Sequence, residues 1–174
     1  MPSLQDFIRD VPDFPKNGII FKDITPLLAD AGALKEAVRR LSDPYRDKGV
    51  DVVVGMESRG FIFAPAVACE LGAGFVPTRK PGKLPAEAIR HEYQLEYGTD
   101  ALEIHADSIK PGQKVLMVDD LIATGGTMAA ACALVRKLGG EIVGAAFLIE
   151  LCFLKGREML PDLDVMSLIK VDGE

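Results

Sequence analysis

The chain has little cysteine or histidine to build with. Cys69, Cys132 and Cys152 are an odd number, with no CxxC spacing and no histidine pair nearby. That excludes a disulfide framework and a zinc site, and the three read as reduced, buried, small apolar residues. A membrane span is missing too. The longest apolar region, Phe61 to Phe75, is interrupted by Pro65 and Glu70 and is too broken to cross a bilayer. The opening MPSLQDFIRDVPDF lacks the basic-then-apolar order of a secretory signal, so a cytoplasmic protein is expected. Basic excess is absent as well: the net charge is −6, which argues against nucleic acid or an anionic membrane as partner. Any polyanion must then meet a local cluster of donors and cations. Neither GxxxxGK[ST] nor GxGxxG occurs, and there is no internal repeat, low-complexity tract or interdomain linker.

What is present suits one α/β domain over residues 1–174, long enough for a sizeable core. Short β-branched or bulky runs at 51–56, 74–79, 114–120, 141–150 and 164–171 read as buried strands. Between them, 32–48, 60–71 and 126–138 carry helical spacing bounded by Gly or Pro. Such alternation predicts βαβ units and a mostly parallel central sheet flanked by helices. Two segments break the rhythm. The first 30 residues mix Pro, Gly and apolar residues, and the 83–109 stretch is too long for a simple connection. Its alternating Tyr93, Leu95 and Tyr97 and its Gly98-Thr99-Asp100 turn suggest a β-hairpin acting as a flap.

Three pieces then leave the same edge of the expected sheet. VLMVDDLIATGGTM (115–128) runs from a strand into two adjacent acids and a Gly/Thr loop before a helix. Asp119 and Asp120 can hold a metal, act as a base or accept hydrogen bonds from vicinal hydroxyls. Ala123, Thr124, Gly125, Gly126 and Thr127 offer amides, hydroxyls and a helix N-terminus to a monophosphate. Together they fit a ribose 5-phosphate; taken alone, the loop is a turn with Thr127 capping a helix. In GMESRGF (55–61), Arg59 is a candidate for a second phosphate group, or for a rim ion pair with Glu57. RKPGK (79–83) places Arg79, Lys80 and Lys83 within five residues, as an anion site or a solvated charge run.

VLMVDDLIATGGTM resembles the diphosphate-sugar loop of the type I phosphoribosyltransferases. FPKNGIIFKDITPLL, GMESRGFIFAPAVA, RKPGKLP and YQLEYGTDALEIHAD narrow the resemblance to the branch acting on adenine, over most of the chain from about Asp13 to about Arg157. It implies a hood (1–30) over the base and a flexible flap (84–108). It also implies transfer of ribosyl phosphate from 5-phosphoribosyl diphosphate (PRPP) to N9 of adenine, with Mg²⁺ bound mainly through PRPP and water, in a homodimer. Carried over by position, Asp119 and Asp120 bind the ribose hydroxyls and 123–127 cradle the 5′-phosphate. Arg59, Arg79, Lys80 and Lys83 contact diphosphate, some of them across the dimer. Glu96 stands near N7 of the purine and Tyr97 helps position PRPP. Phe21 and Leu121 sandwich the ring, and backbone groups of Ile20 and Lys22 read its Watson–Crick edge. Lys22 departs from the arginine expected there, and a cis peptide is expected at Glu57-Ser58.

Rival readings fare worse on the residues. Another purine or pyrimidine base would change the hood. A PRPP-sensing DNA regulator wants a basic recognition helix that is not here. A receiver-type signalling domain wants its acid pair early in the chain and leaves the Gly-rich loop without a task.

Overall fold

The computed structural model describes residues 3–94 and 98–173. A hairpin of β1 (Arg9–Pro12) and β2 (Ile20–Asp23) opens the chain, followed by α1 (Thr25–Ala29) and α2 (Ala31–Ser42). Then come β3 (Val52–Met56), α3 (Gly60–Leu71) and β4 (Gly74–Thr78). A second hairpin, β5 (Ala88–Gln94) with β6 (Thr99–His105), precedes β7 (Lys114–Ile122), α4 (Gly126–Lys137), β8 (Glu141–Leu151) and β9 (Val165–Val171). The expected runs fall on these elements, with three differences. The helix expected over 32–48 ends at Ser42, where Pro44 leads the chain into a 3-10 turn over Asp43–Tyr45. β7 continues two residues past the acid pair, and Thr99 and Asp100 belong to strand β6 instead of the turn.

Five strands form one sheet in the order β4-β3-β7-β8-β9, parallel at every pairing. Its strands are apolar on both sides because both faces are covered. Val52, Val54, Val115 and Met117 face a core with α4 and with Leu102 and Ile104 of the second hairpin. Val53, Leu116, Val118 and Leu148 face a core with α2 and α3. Burying some forty apolar side chains this way supplies the main stabilisation, each worth about 1.5–3 kcal/mol for a large aliphatic residue.

From β3 the chain first steps outward to β4 and then crosses to β7 on β3's other side. The order in which strands are added to the sheet therefore reverses between β3 and β7. In open parallel sheets the loops diverge at that point and leave a crevice beyond the carboxyl ends. Arg59 follows β3 and the acid pair lies two residues before the end of β7, so topology brings both to one place.

The cysteines depart from the expectation of burial. Cys132 on α4 is buried, which pushes its thiol up to about 11. Cys152 is half-buried and Cys69, in the last turn of α3, is exposed. No described helix is long and apolar enough to cross a membrane.

Candidate active site

At the β3/β7 crevice lies a cavity of about 340 Å³. Its wall includes Arg59, Asp119, Asp120, Leu121, Ala123, Thr124, Gly125 and Thr127 from the sequence-predicted set. Glu57, Ser58, Ile122, Met128 and Phe147 complete it. The peptide Glu57-Ser58 is cis, as expected from the resemblance.

The half of the cavity formed by the 123–127 loop is built by the start of α4. Gly125 adopts φ +83°, a left-handed conformation that favours glycine, and no side chain caps the helix. The capping role open to Thr127 on sequence grounds is therefore not what the structure shows. The first helical bond runs from the Ala129 N–H to the Gly125 carbonyl at 2.9 Å. The amides of Gly126, Thr127 and Met128 thus have no partner within the helix, and the dipole points positive at the cavity. Anions are favoured there.

The acid half is under electrostatic tension. Burial pushes Asp119 well above the usual carboxylate range, and the charge of Asp120 adds to it. Burial raises Asp120 too, against the pull of Arg59, whose Nε lies 2.9 Å from Asp120 Oδ2. The backbone N–H of Asp120 donates to Asp119 Oδ1 at 2.9 Å. That oxygen also lies against Gly60, the first residue of α3, where a Cβ would come within 2.8 Å of it. Two desolvated carboxylates, with a half-exposed guanidinium against Asp120 alone, favour further donors, and a ligand rich in hydroxyls would supply them.

Arg59 does not pair with Glu57 as the rim reading had it. Its guanidinium spans from Asp120 to the Phe21 ring, 5.1 Å from the centroid. Phe14 packs edge-on against Phe21 at 5.2 Å. The hood aromatic therefore reaches the cavity through Arg59, although Phe21 is not itself on the cavity wall. Lys22 turns away and pairs with Asp10 at 2.7 Å, while Ile20 is exposed.

The basic cluster is held off the cavity by acids that sequence reading did not assign. Arg79 Nη2 donates to Glu57 Oε2 at 3.1 Å, and the Lys80 N–H to Glu57 Oε1 at 2.6 Å. Lys80 Nζ pairs with Asp100, which the ammonium holds below the usual carboxylate range. Neither these two cations nor Lys83 lines the cavity, because they follow β4, the edge strand, and the flap stem draws them outward. Tyr93 ties that stem to the cradle: its hydroxyl lies 3.2 Å from Asp100 Oδ2 and 3.3 Å from Thr127 Oγ1. Glu57, Tyr93 and Asp100 were missed because each pairing spans 20 or more residues or crosses a hairpin. Gly126 flanks the cavity without lining it, and Glu96 and Tyr97 lie outside the described residues.

Residues 27–171 match the family model described as the phosphoribosyl transferase domain. An adenine phosphoribosyltransferase from Acidobacterium capsulatum is 59% identical over 166 residues, covering 95% of this chain and 92% of the relative. One from Clostridium perfringens is 58% identical, covering 98% and 99%. Among solved structures, the adenine phosphoribosyltransferase of Thermoanaerobacter pseudethanolicus superimposes with a TM-score of 0.94 at 52% identity, covering 97% of this chain and 98% of that one. The Saccharomyces cerevisiae enzyme, solved with an imino-altritol bisphosphate and adenine, gives a TM-score of 0.90 at 41% identity, covering 95% and 96%.

Proposed function

Because the chain belongs to the adenine phosphoribosyltransferase family, we propose that it transfers the 5-phosphoribosyl group of PRPP to N9 of adenine, releasing AMP and diphosphate. The observation that carries this reading is the single cavity in which a strained acid pair faces an uncapped helix N-terminus across one β-strand end. A 5-phosphorylated ribose suits both halves at once. Its two vicinal hydroxyls donate to Asp119 and Asp120, and its phosphate accepts from the amides and hydroxyls of 123–127.

Each residue then has a task. As the bond between the anomeric carbon and diphosphate breaks, positive charge develops on the sugar, and the acid pair beside it favours that charge. The departing diphosphate is met by Arg59, with Arg79, Lys80 and Lys83 as further contacts. Arg79 Nε is buried without a hydrogen-bond partner among the described residues. As N9 takes the anomeric carbon, adenine gives up a proton from N7, and on this reading Glu96 accepts it while Tyr97 helps to position PRPP.

The base sits between Phe21 and Leu121. Pro12, opposite Ile20 in the first hairpin, has no N–H. The mutually bonded pairs are therefore Val11 with Phe21 and Arg9 with Asp23, which leaves the backbone groups of Ile20 and Lys22 facing away from β1 and free to read a base edge. A backbone contact also tolerates lysine where arginine is usual.

Among the described residues there is no cluster of three or more metal-ligating side chains. The donor set, two aspartates beside a phosphate site, fits Mg²⁺ carried in on PRPP oxygens and water. When bound, Mg²⁺ would neutralise charge on the departing diphosphate. The chain works in the cytoplasm as a homodimer on this reading. Supporting the dimer are exposed Ile62 on the apolar helix α3 and the placement of the basic cluster in the loop after the edge strand β4, away from its own cavity.

The deciding experiment mixes the protein with Mg²⁺, PRPP and each free base in turn and looks for nucleotide. AMP from adenine alone is expected. Nucleotide from another base in preference to adenine, or none at all, refutes the reading.

A further inference from the structure

Beneath the 123–127 loop runs a single 3-10 turn, Gly156–Met159, that follows the end of β8. Two glycines meet there. A Cβ on Gly125 would stand 2.3 Å from the Gly156 carbonyl oxygen and 3.0 Å from Met159 Cβ. A Cβ on Gly156 would stand 2.4 Å from the Ala123 carbonyl oxygen and 2.7 Å from Ile122 Cγ1. Gly125 has a positive φ that also favours glycine, but Gly156 does not, so at 156 space alone excludes a side chain. Backbone rests directly on backbone.

The contact has a direction. A trans peptide points its C=O and the following N–H opposite ways. With the Ala123 carbonyl turned onto Gly156, the Thr124 N–H faces away from the turn. Ala123 and Thr124 line the cavity and Gly156 does not. The turn therefore sets which way one cradle amide points.

The turn itself is anchored by Arg157. Its Nε donates to Glu150 Oε1 at 2.5 Å, and Nη2 donates to Glu150 Oε2 at 2.7 Å and to Ser167 Oγ at 3.1 Å. Nη1 donates to the Val165 carbonyl. All three guanidinium nitrogens are used, in the bidentate geometry that fixes orientation as well as distance. Glu150 is 5% exposed and stands opposite Ile122, the last β7 residue before the loop. The guanidinium thus fastens the turn to β8 and β9, and the loop leaving β7 lies on top of it.

We infer that Gly156 and Arg157 are positioning residues for the 5′-phosphate cradle: the anchored turn holds the Ala123–Thr124 peptide so that its amide faces the phosphate. This rests on the phosphoribosyl reading of the loop. Neither residue touches substrate. Hydrogen-bond donors displaced by a fraction of an ångström lose much of their worth, so the turn's height matters to PRPP more than to adenine, which binds at the other end of the cavity.

The test is steady-state kinetics on the whole protein with Mg²⁺, PRPP and adenine, together with thermal midpoints. Gly156→Ala inserts a methyl between a fixed turn and the loop, so the loop must shift. The KM for PRPP is expected to rise about tenfold, with the KM for adenine within about twofold. Arg157→Lys keeps the charge and loses the fork; the PRPP KM rises about threefold, and this variant serves also if Gly156→Ala does not fold. In the double variant the loosened turn yields to the methyl, and the PRPP KM falls back below that of Gly156→Ala. A merely structural role predicts additive damage, with both KM values moving alike; either result overturns the inference, as does an unchanged PRPP KM in both single variants. If the wild-type protein forms no AMP, the functional reading fails first and this inference with it.

Discussion

Two buried acidic groups stand at the ends of neighbouring strands and have opposite fates. On β8, Glu150 receives Arg157 and Ser167, and Arg157's fork holds it below the usual carboxylate range despite burial. On β7, Asp119 and Asp120 are also desolvated, but they share one arginine, and both are pushed upward. A satisfied buried charge is structural: it ties strand to turn and asks for nothing more. A pair of like charges pushed together away from water is destabilising, and such pairs concentrate at functional sites. On the proposed reading, adjacent strands of one sheet separate the part that holds the shape from the part that does the chemistry.

The strongest challenge to that contrast is Asp119→Asn with Asp120→Asn. AMP formation should fall about a thousandfold, the scale on which lost electrostatic stabilisation is felt, while the thermal midpoint stays level or rises. A near-normal rate, or a protein that unfolds, would put the pair on the structural side with Glu150. A fourth carboxylate, Glu96 on the proposed flap, extends the comparison. Glu96→Ala should lower kcat about a hundredfold and leave the KM for PRPP within about twofold; unchanged turnover would remove it from the proton transfer.

Glu150→Gln tests the other member. Leaving the guanidinium without its carboxylate should cost about 2 kcal/mol in denaturant unfolding. That is less than the roughly 3–5 kcal/mol of a fully buried pair, since 38% of the Arg157 side chain is exposed to water. No loss of stability would mean that the fork does not anchor the turn.

The smallest effect is one of pH. The raised aspartates bind protons more tightly when folded, so their ionisation costs stability above their folded values, and the cost fades as pH falls. Glu150 is lowered from the usual 4.5, so its contribution is complete above that value and is lost as pH falls through the folded one. As pH falls from neutral toward the usual carboxylate range, the wild-type midpoint should gain on the double-Asn variant. Over the same window its lead over Glu150→Gln should hold constant and close only below the usual glutamate range. Parallel curves for all three proteins would contradict the assignment of opposite shifts.

Most of the frame was legible because each element declares itself locally. Val52–Met56 and Lys114–Ile122 are strands by apolar run, Gly60–Leu71 and Gly126–Lys137 are helices by spacing and glycine boundaries, and the acid pair with its Gly/Thr loop is contiguous. Chemistry confined to one short stretch needs no partner to be recognised. Arg59 was found as a cation at a strand end, but its actual partners, Asp120 and Phe21, lie 61 residues ahead and 38 behind in the chain. Lys22 was placed near the base by position, and only the hairpin register shows its side chain turned to Asp10.

The sequence by itself determined the composition of the site: which residues could meet a sugar, a phosphate and a base, and that they leave one edge of a parallel sheet. Only the tertiary structure decided who meets whom. It set β7 beside β3, which joined Arg59 to Asp120, and gave Arg79 and Lys80 to acids of the flap stem and the β3 loop. It also laid Gly156 under Ala123. The physical reason is that patterning and propensity act over a few residues, whereas charge pairing and steric fit act through space and depend on strand order that no single segment encodes.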